Sequence, residues 1–246
     1  MANSRPSLDL RLRRRGCEER PARRCCWSWC RLASGRGSWI SHGAKWICSP
    51  PLRWKSDQEA LWAALERGDL QLVSSDHAPY RFDATGKLRA GPEPAFKEIA
   101  NGMPGLELRL PLLFDAIVAK GRFGIERFVE WTSTTPARMY GLGARKGSIA
   151  IGADADVCIW DPKRRTTIND ATVHDNAGYT PYAGRTIEGW PVTVLRRGEV
   201  IADGGALKAS AGSGRFLPRE AGEPARPTGR LAPEFDPARN FGAKLY

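Results

Sequence analysis

Ser74-Ser75-Asp76-His77-Ala78-Pro79 sets a carboxylate beside an imidazole, directly after an apolar run of strand formers, Leu70-Gln71-Leu72-Val73. A side chain held where a parallel strand ends is fixed by the strand and open to a ligand through the following loop. That context places Asp76 for chemistry on a bound molecule, although a lone Ser-Asp also suits a helix cap or a plain loop. A second apolar run, Lys45-Trp46-Ile47-Cys48, stops at Ser49-Pro50-Pro51, and Asn101 opens the turn cluster Asn101-Gly102-Met103-Pro104-Gly105. Proline and glycine neighbours suit turns, so Ser49 and Asn101 carry a plain turn reading as well. His77 reads as a local hydrogen-bonding residue, His174 as structural, and Cys48 and Cys158 as buried thiols in apolar strands.

The elements that would position these groups follow from spacing. Two successive prolines offer no ladder donors, so the strand at residues 45–48 ends there. Ser56 with Glu59 three residues on makes a capping box, Leu61, Ala64 and Leu65 line one helical face, and Gly68 stops it. Strand, helix and strand in that order form a parallel βαβ unit, which brings Ser49 and Asp76 to one sheet edge. Residues 80–105 make a loop long enough to be functional or disordered. Helical patterning resumes over residues 106–120, with Pro111 expected to kink or break it. A short amphipathic stretch at 125–131 precedes a helix capped by Thr135 with Pro136 in its first turn, closed by Gly141 and Gly143.

At Lys146 the pattern turns to sheet without helices, which sets a domain boundary. Strands are expected at residues 157–160, ended by Asp161-Pro162, at 165–168, and in a hairpin of 192–196 with 199–202 around Arg197-Gly198. Beyond Gly212 the chain is rich in Pro, Gly and Arg and should lie extended.

The chain has 246 residues, 41% of them hydrophobic, enough for one large domain or two small ones. It has neither an apolar run of about 18 residues nor a secretory apolar centre, so the expected address is cytoplasmic with no membrane contact. The net charge is +11, but residues 1–40 hold ten arginines, no lysine and three acids, a net of +7. The body is therefore only mildly basic. Those arginines are scattered through Gly, Ser and Trp without a stacking platform, so no nucleic-acid partner is expected. Cys17, Cys25, Cys26 and Cys30 lack paired two-residue gaps, which argues against a zinc site in this segment. Residues 1–42 have no hydrophobic periodicity and are expected to be an unstructured leader, or not native coding sequence.

The motifs Cys48-Ser49-Pro50-Pro51-Leu52-Arg53, Ser74-Ser75-Asp76-His77-Ala78-Pro79, Asn101-Gly102-Met103-Pro104-Gly105-Leu106-Glu107 and Gly152-Ala153-Asp154-Ala155-Asp156 resemble the D-hydantoinase and dihydropyrimidinase group of cyclic amidohydrolases. So do His174-Asp175-Asn176-Ala177-Gly178-Tyr179 and Gly189-Trp190-Pro191-Val192. The resemblance covers residues 43–246 and implies an α/β fold. Residues 43–145 would be the later part of a (β/α)8 TIM-type barrel, 146–212 part of a small β-sandwich, and 213–246 an extended tail. It implies hydrolysis of a cyclic amide, a tetrameric homo-oligomer and two zinc ions. By resemblance, Asp76 is the metal-binding aspartate that also moves the proton, and the backbones of Ser49 and Asn101 hold the ring.

The resembled site also needs a His-x-His pair, a carboxylated lysine and two further histidines. This sequence has three histidines, His42, His77 and His174, and no such pair. One chain of this sequence is therefore expected to be inactive alone, a truncated hydrolase, with a non-catalytic oligomerisation module as the alternative. A barrel open at residues 46–48 would expose unpaired backbone groups, so poor solubility or association is expected.

Overall fold

A computed structural model describes residues 43–219 apart from Arg53. The arginine-rich leader, His42 and the tail beyond residue 219 lie outside the described residues.

Helix α1, Lys55–Arg67, begins one residue before the expected capping box. The Asp57 carboxylate reaches back to accept from the Trp54 backbone N–H at 2.9 Å, so Ser56 already lies within the first turn. Glu59 is diverted into a two-pronged ion pair with Arg122, at 2.6 and 2.9 Å. Gly68, at φ +79°, stops the helix as its sequence requires. The apolar face packs through Trp62 and Leu65, while Leu61 stays 53% exposed, outside the face assigned to it.

Helix α2, Leu106–Phe114, runs into a π-helical turn, Asp115–Ala119. Pro111 is buried inside α2 and does not break it. The change of register comes four residues later, where Lys120 N–H reaches back five residues to Asp115 O. Helices α3, Ile125–Val129, and α4, Thr135–Met139, are joined by a second π-helical turn, Glu130–Thr134, so the two expected helices form one run. Thr135 therefore has no terminus to cap, Pro136 keeps its place in the first turn of α4, and the Thr134 hydroxyl instead donates to Gly147 O at 2.7 Å.

Four strands make an antiparallel sheet in chain order, β1 Val157–Thr167, β2 Thr186–Arg196, β3 Glu199–Asp203 and β4 Ala206–Leu207. The two strands expected around Asp161-Pro162 are one strand with a bulge. Pairing steps from Asp161 opposite Trp190 to Arg165 opposite Glu188, and Asp161 Oδ1 accepts from the Lys163 and Arg164 amides in the gap. The β2–β3 hairpin turns at Arg197 (φ 49°) and Gly198 (φ 82°), as the sequence indicates.

The two parallel strands expected at residues 45–48 and 70–73 are absent. Among the described residues neither segment joins a ladder: Ile47 O accepts an amide from Gly102, and Val73 N–H donates to Trp131 O. Among the described residues parallel pairing is confined to a single bridge, His77 with Met103.

Leu65, Phe114, Ile117, Phe128 and Trp131 form the larger core, and Leu108, Ile168 and Ile187 the smaller. Phe114 stacks on Trp160 of β1 with centroids 4.8 Å apart and planes 11° apart, and Phe128 meets both rings edge-on. Helices and sheet are thus joined through aromatic rings. No described helix is long and apolar enough to cross a membrane.

Candidate active-site rim

Three segments distant in sequence converge through their backbones. Gly102 N–H donates to Ile47 O at 3.1 Å, and Ala78 N–H to Met103 O at 3.2 Å. These bonds draw the segments carrying Ser49, Asp76 and Asn101 into one neighbourhood, and all three residues are exposed there. The approach needs a glycine. At φ +155°, a Cβ on Gly102 would lie 2.6 Å from both the Cβ and the carbonyl oxygen of Ala78. The Ser49-Pro50 peptide is cis.

Asp76 caps none of the described helices, which removes the helix-cap reading. His77 is a hydrogen-bonding residue, but not a local one: its Nδ1 accepts from Gly105 N–H at 3.1 Å and Leu106 N–H at 3.2 Å, 28 and 29 residues on at the start of α2. With Nδ1 an acceptor, the ring proton of neutral His77 sits on Nε2. On α2, Arg109 donates to the Ser75 hydroxyl at 3.3 Å, so the residue before Asp76 is tied to the helix.

His174 is anchored to the first turn of α2. Its ring and its backbone N–H both bond Glu107, at 2.8 and 2.7 Å, with the side chain largely exposed. Cys48 is partly buried and donates to Pro50 O, and Cys158 is exposed, so neither is the buried strand thiol expected. Burial nonetheless raises the Cys158 thiol above its ordinary range. The acids of Gly152-Ala153-Asp154-Ala155-Asp156 are structural: Asp154 pairs with Arg145 and Lys146, while Asp156 pairs with Lys146 and accepts from Arg197 N–H in the hairpin turn. Lys146 and Arg145 hold the Asp154 carboxyl below its usual value.

Sequence reasoning missed two groups beneath the rim. Tyr179, fully buried, donates to Lys45 O at 3.3 Å and packs against Phe82, while Phe82 N–H donates to Ala177 O. Burial pushes the Tyr179 phenol up. Lys87 is also fully enclosed, its ammonium donating to Ile47 O at 3.0 Å and Ala100 O at 2.9 Å. Tyr179 lies within a motif that carries the family resemblance, but a single lysine in a polar loop carries no signal of burial.

Among the described residues no group of three or more His, Cys, Asp or Glu side chains could hold a metal ion.

The amidohydrolase family matches residues 34–201. D-hydantoinase of Streptomyces coelicolor is 45% identical over 177 residues, 72% of this chain and 37% of the relative. D-phenylhydantoinase of Escherichia coli is 42% identical over 178 residues, again 72% of this chain and 38% of the relative. Among solved structures, dihydropyrimidinase from Brevibacillus agri superposes with a TM-score of 0.69 at 40% identity, over 75% of this chain and 39% of its own. D-hydantoinase from Thermus sp. gives 0.69 at 41%, over 74% and 39%. The chain spans less than two fifths of the length of these relatives. It belongs to the amidohydrolase family.

Proposed function

We propose that this chain carries the ring-holding and proton-moving part of a cyclic-amide hydrolase, which opens a hydantoin or dihydropyrimidine. In this reading residues 43–145 are the later part of a (β/α)8 barrel, 146–212 part of a β-sandwich and 213–246 an extended tail. The observation that carries it is the backbone-bonded convergence of the segments bearing Ser49, Asp76 and Asn101 around an exposed carboxylate. Relatives named for hydantoin and dihydropyrimidine chemistry support the substrate class.

A cyclic amide is locked with its N–H and C=O on one edge, which a pair of backbone groups can match. The backbones of Ser49 and Asn101 serve as that pair. When water adds to the ring carbonyl, a C–O bond forms and the C–N bond breaks. Asp76 takes the water's proton and passes it to the departing nitrogen.

The amidohydrolase family is generally metal-dependent, and a metal lowers the pKa of the attacking water. Zinc, two ions, is the ion this reading assigns. The described residues do not fit that group by themselves, since they hold no ligand cluster and His77 Nδ1 and His174 are already bonded. Asp76 is the one ligand this reading assigns among them. A cytoplasmic address, a homo-oligomer and the lack of a nucleic-acid partner complete the reading.

The second reading is a non-catalytic assembly module. It is favoured by the missing ligand cluster together with Ile149 and Ile151, which are 90% and 109% exposed.

The test is a chimaera in which residues 43–246 replace the matching part of the Streptomyces D-hydantoinase. The chain alone should open neither hydantoin nor dihydrouracil, the chimaera should open hydantoin, and Asp76→Asn should lower its kcat at least about a hundredfold with the melt unchanged. A chimaera that melts cooperatively but opens neither ring overturns the hydrolase reading in favour of the assembly module.

A further inference from the structure

The loop that follows the Asp76 motif is built to deliver one lysine inward. Asp83 organises its turn. The carboxylate accepts from Thr85 N–H (2.8 Å), the Thr85 hydroxyl (2.6 Å) and Arg81 Nε (2.7 Å), which holds it down at about 2. Asp83 O takes the Gly86 and Leu88 amides, and Lys87 N–H closes the turn onto Arg81 O at 2.9 Å. A Cβ on Gly86 would sit 2.1 Å from that same Arg81 oxygen, so the turn is as tight as a backbone allows. Its product is Lys87, with no exposed surface, in a loop whose other lysine, Lys97, lies exposed.

Enclosing an ammonium is unfavourable unless its donors are met, and a methionine would fill a similar volume without that cost. What the cation adds is its two acceptors. Ile47 O lies two residues before Ser49, and Ala100 O one residue before Asn101. The same Ile47 carbonyl also takes the Gly102 amide, one residue beyond Asn101. Burial pushes the ammonium down to about 8, opposed by the neighbouring Cys48, as expected of a cation kept for its contacts and not for solvation.

We propose that Lys87 is a positioning residue, whose ammonium joins the Ser49 and Asn101 segments and sets the width of the slot between them for a planar cyclic amide. The inference rests on the assignment of Ser49 and Asn101 as the ring-holding residues. Lys87 touches no reacting atom in it and acts only through the two backbones. A surface lysine could be removed without consequence for the slot, whereas loss of this one frees both segments together.

The test is hydrogen exchange of the full chain, wild type against Lys87→Met and Lys97→Met, with and without dihydrouracil. Exchange in peptides covering residues 47–49 and 99–103 should accelerate at least about tenfold in Lys87→Met, with β1–β3 peptides unchanged and Lys97→Met like wild type. Dihydrouracil should protect the Ser49 and Asn101 segments in wild type and Lys97→Met but not in Lys87→Met. Unchanged loop exchange in Lys87→Met, or equal acceleration across the whole chain, overturns the positioning role. If the loops loosen but dihydrouracil protects no variant, wild type included, Lys87 is confirmed as the link between the segments and the ring-holding assignment is what fails.

Discussion

The buried Asp115 carboxylate accepts the backbone N–H of Glu188 at 3.1 Å, fastening the π-helical turn after α2 to strand β2. Its second oxygen is paired with Lys120. Asp115→Ala takes the acceptor from the Glu188 amide and the counter-charge from Lys120 and should cost about 2–3 kcal/mol, whereas Asp115→Asn keeps an acceptor and should cost about 1 kcal/mol. Lys120→Met should cost about 1–2 kcal/mol, because it takes the counter-charge from a buried carboxylate although the ammonium itself is 60% exposed. Urea melts of the three variants check the order.

At Gly189 the sheet packs directly against Phe114 of α2. At φ +91°, a Cβ there would lie 2.1 Å from the Phe114 ring, so Gly189→Ala combines an unfavourable backbone with a clash against a stacked aromatic. A loss of at least about 3 kcal/mol is expected, read as a lower thermal midpoint.

Lys87 gives the stability a definite pH dependence. Its ammonium titrates at about 8 when folded against 10.5 as an ordinary lysine, so between those values the unfolded chain binds the additional proton and stability rises with pH. Measured against Lys87→Met, wild type should gain about 1.4 kcal/mol per pH unit above pH ~8, approaching about 3 kcal/mol near pH ~10.5. Below pH ~8 the difference should be flat. Tyr179 and Cys158, whose raised values favour the protonated groups, are present in both proteins and cancel in the comparison.

His77→Ala removes the acceptor for two backbone donors at the start of α2. The expected cost is about 1–2 kcal/mol, with His77→Asn recovering part of it through its side-chain oxygen. Faster amide exchange at Leu106 than at Phe114 would mark the effect as local to the helix start.

Short-range features were the legible ones. Gly68, Pro136 and the Arg197-Gly198 turn act through local backbone geometry, and each took the place its residue type dictates. The strands at residues 45–48 and 70–73 were not legible, because strand formers need a neighbour and pattern alone does not supply one. Asp57 displaced the Ser56-Glu59 cap because both carboxylates were within reach and Glu59 met Arg122, 63 residues away. At the rim, Ser49 and Asn101 stood out because each lies beside Pro or Gly at a segment end, and Asp76 because it follows an apolar run and precedes a histidine. Lys87 did not, since its burial depends on a turn whose fold is set by Asp83 and on acceptors up to 40 residues away.

Each strand of the sheet pairs with the one next in the chain, while the rim relies on partners 28 and 40 residues apart. The sheet is held by continuous ladders and the rim by single backbone bonds, so gentle denaturant should dissolve the rim first. The molecule would then go blind to a ring while still keeping its shape, and a spectroscopic melt of the sheet would overstate the conditions under which recognition survives.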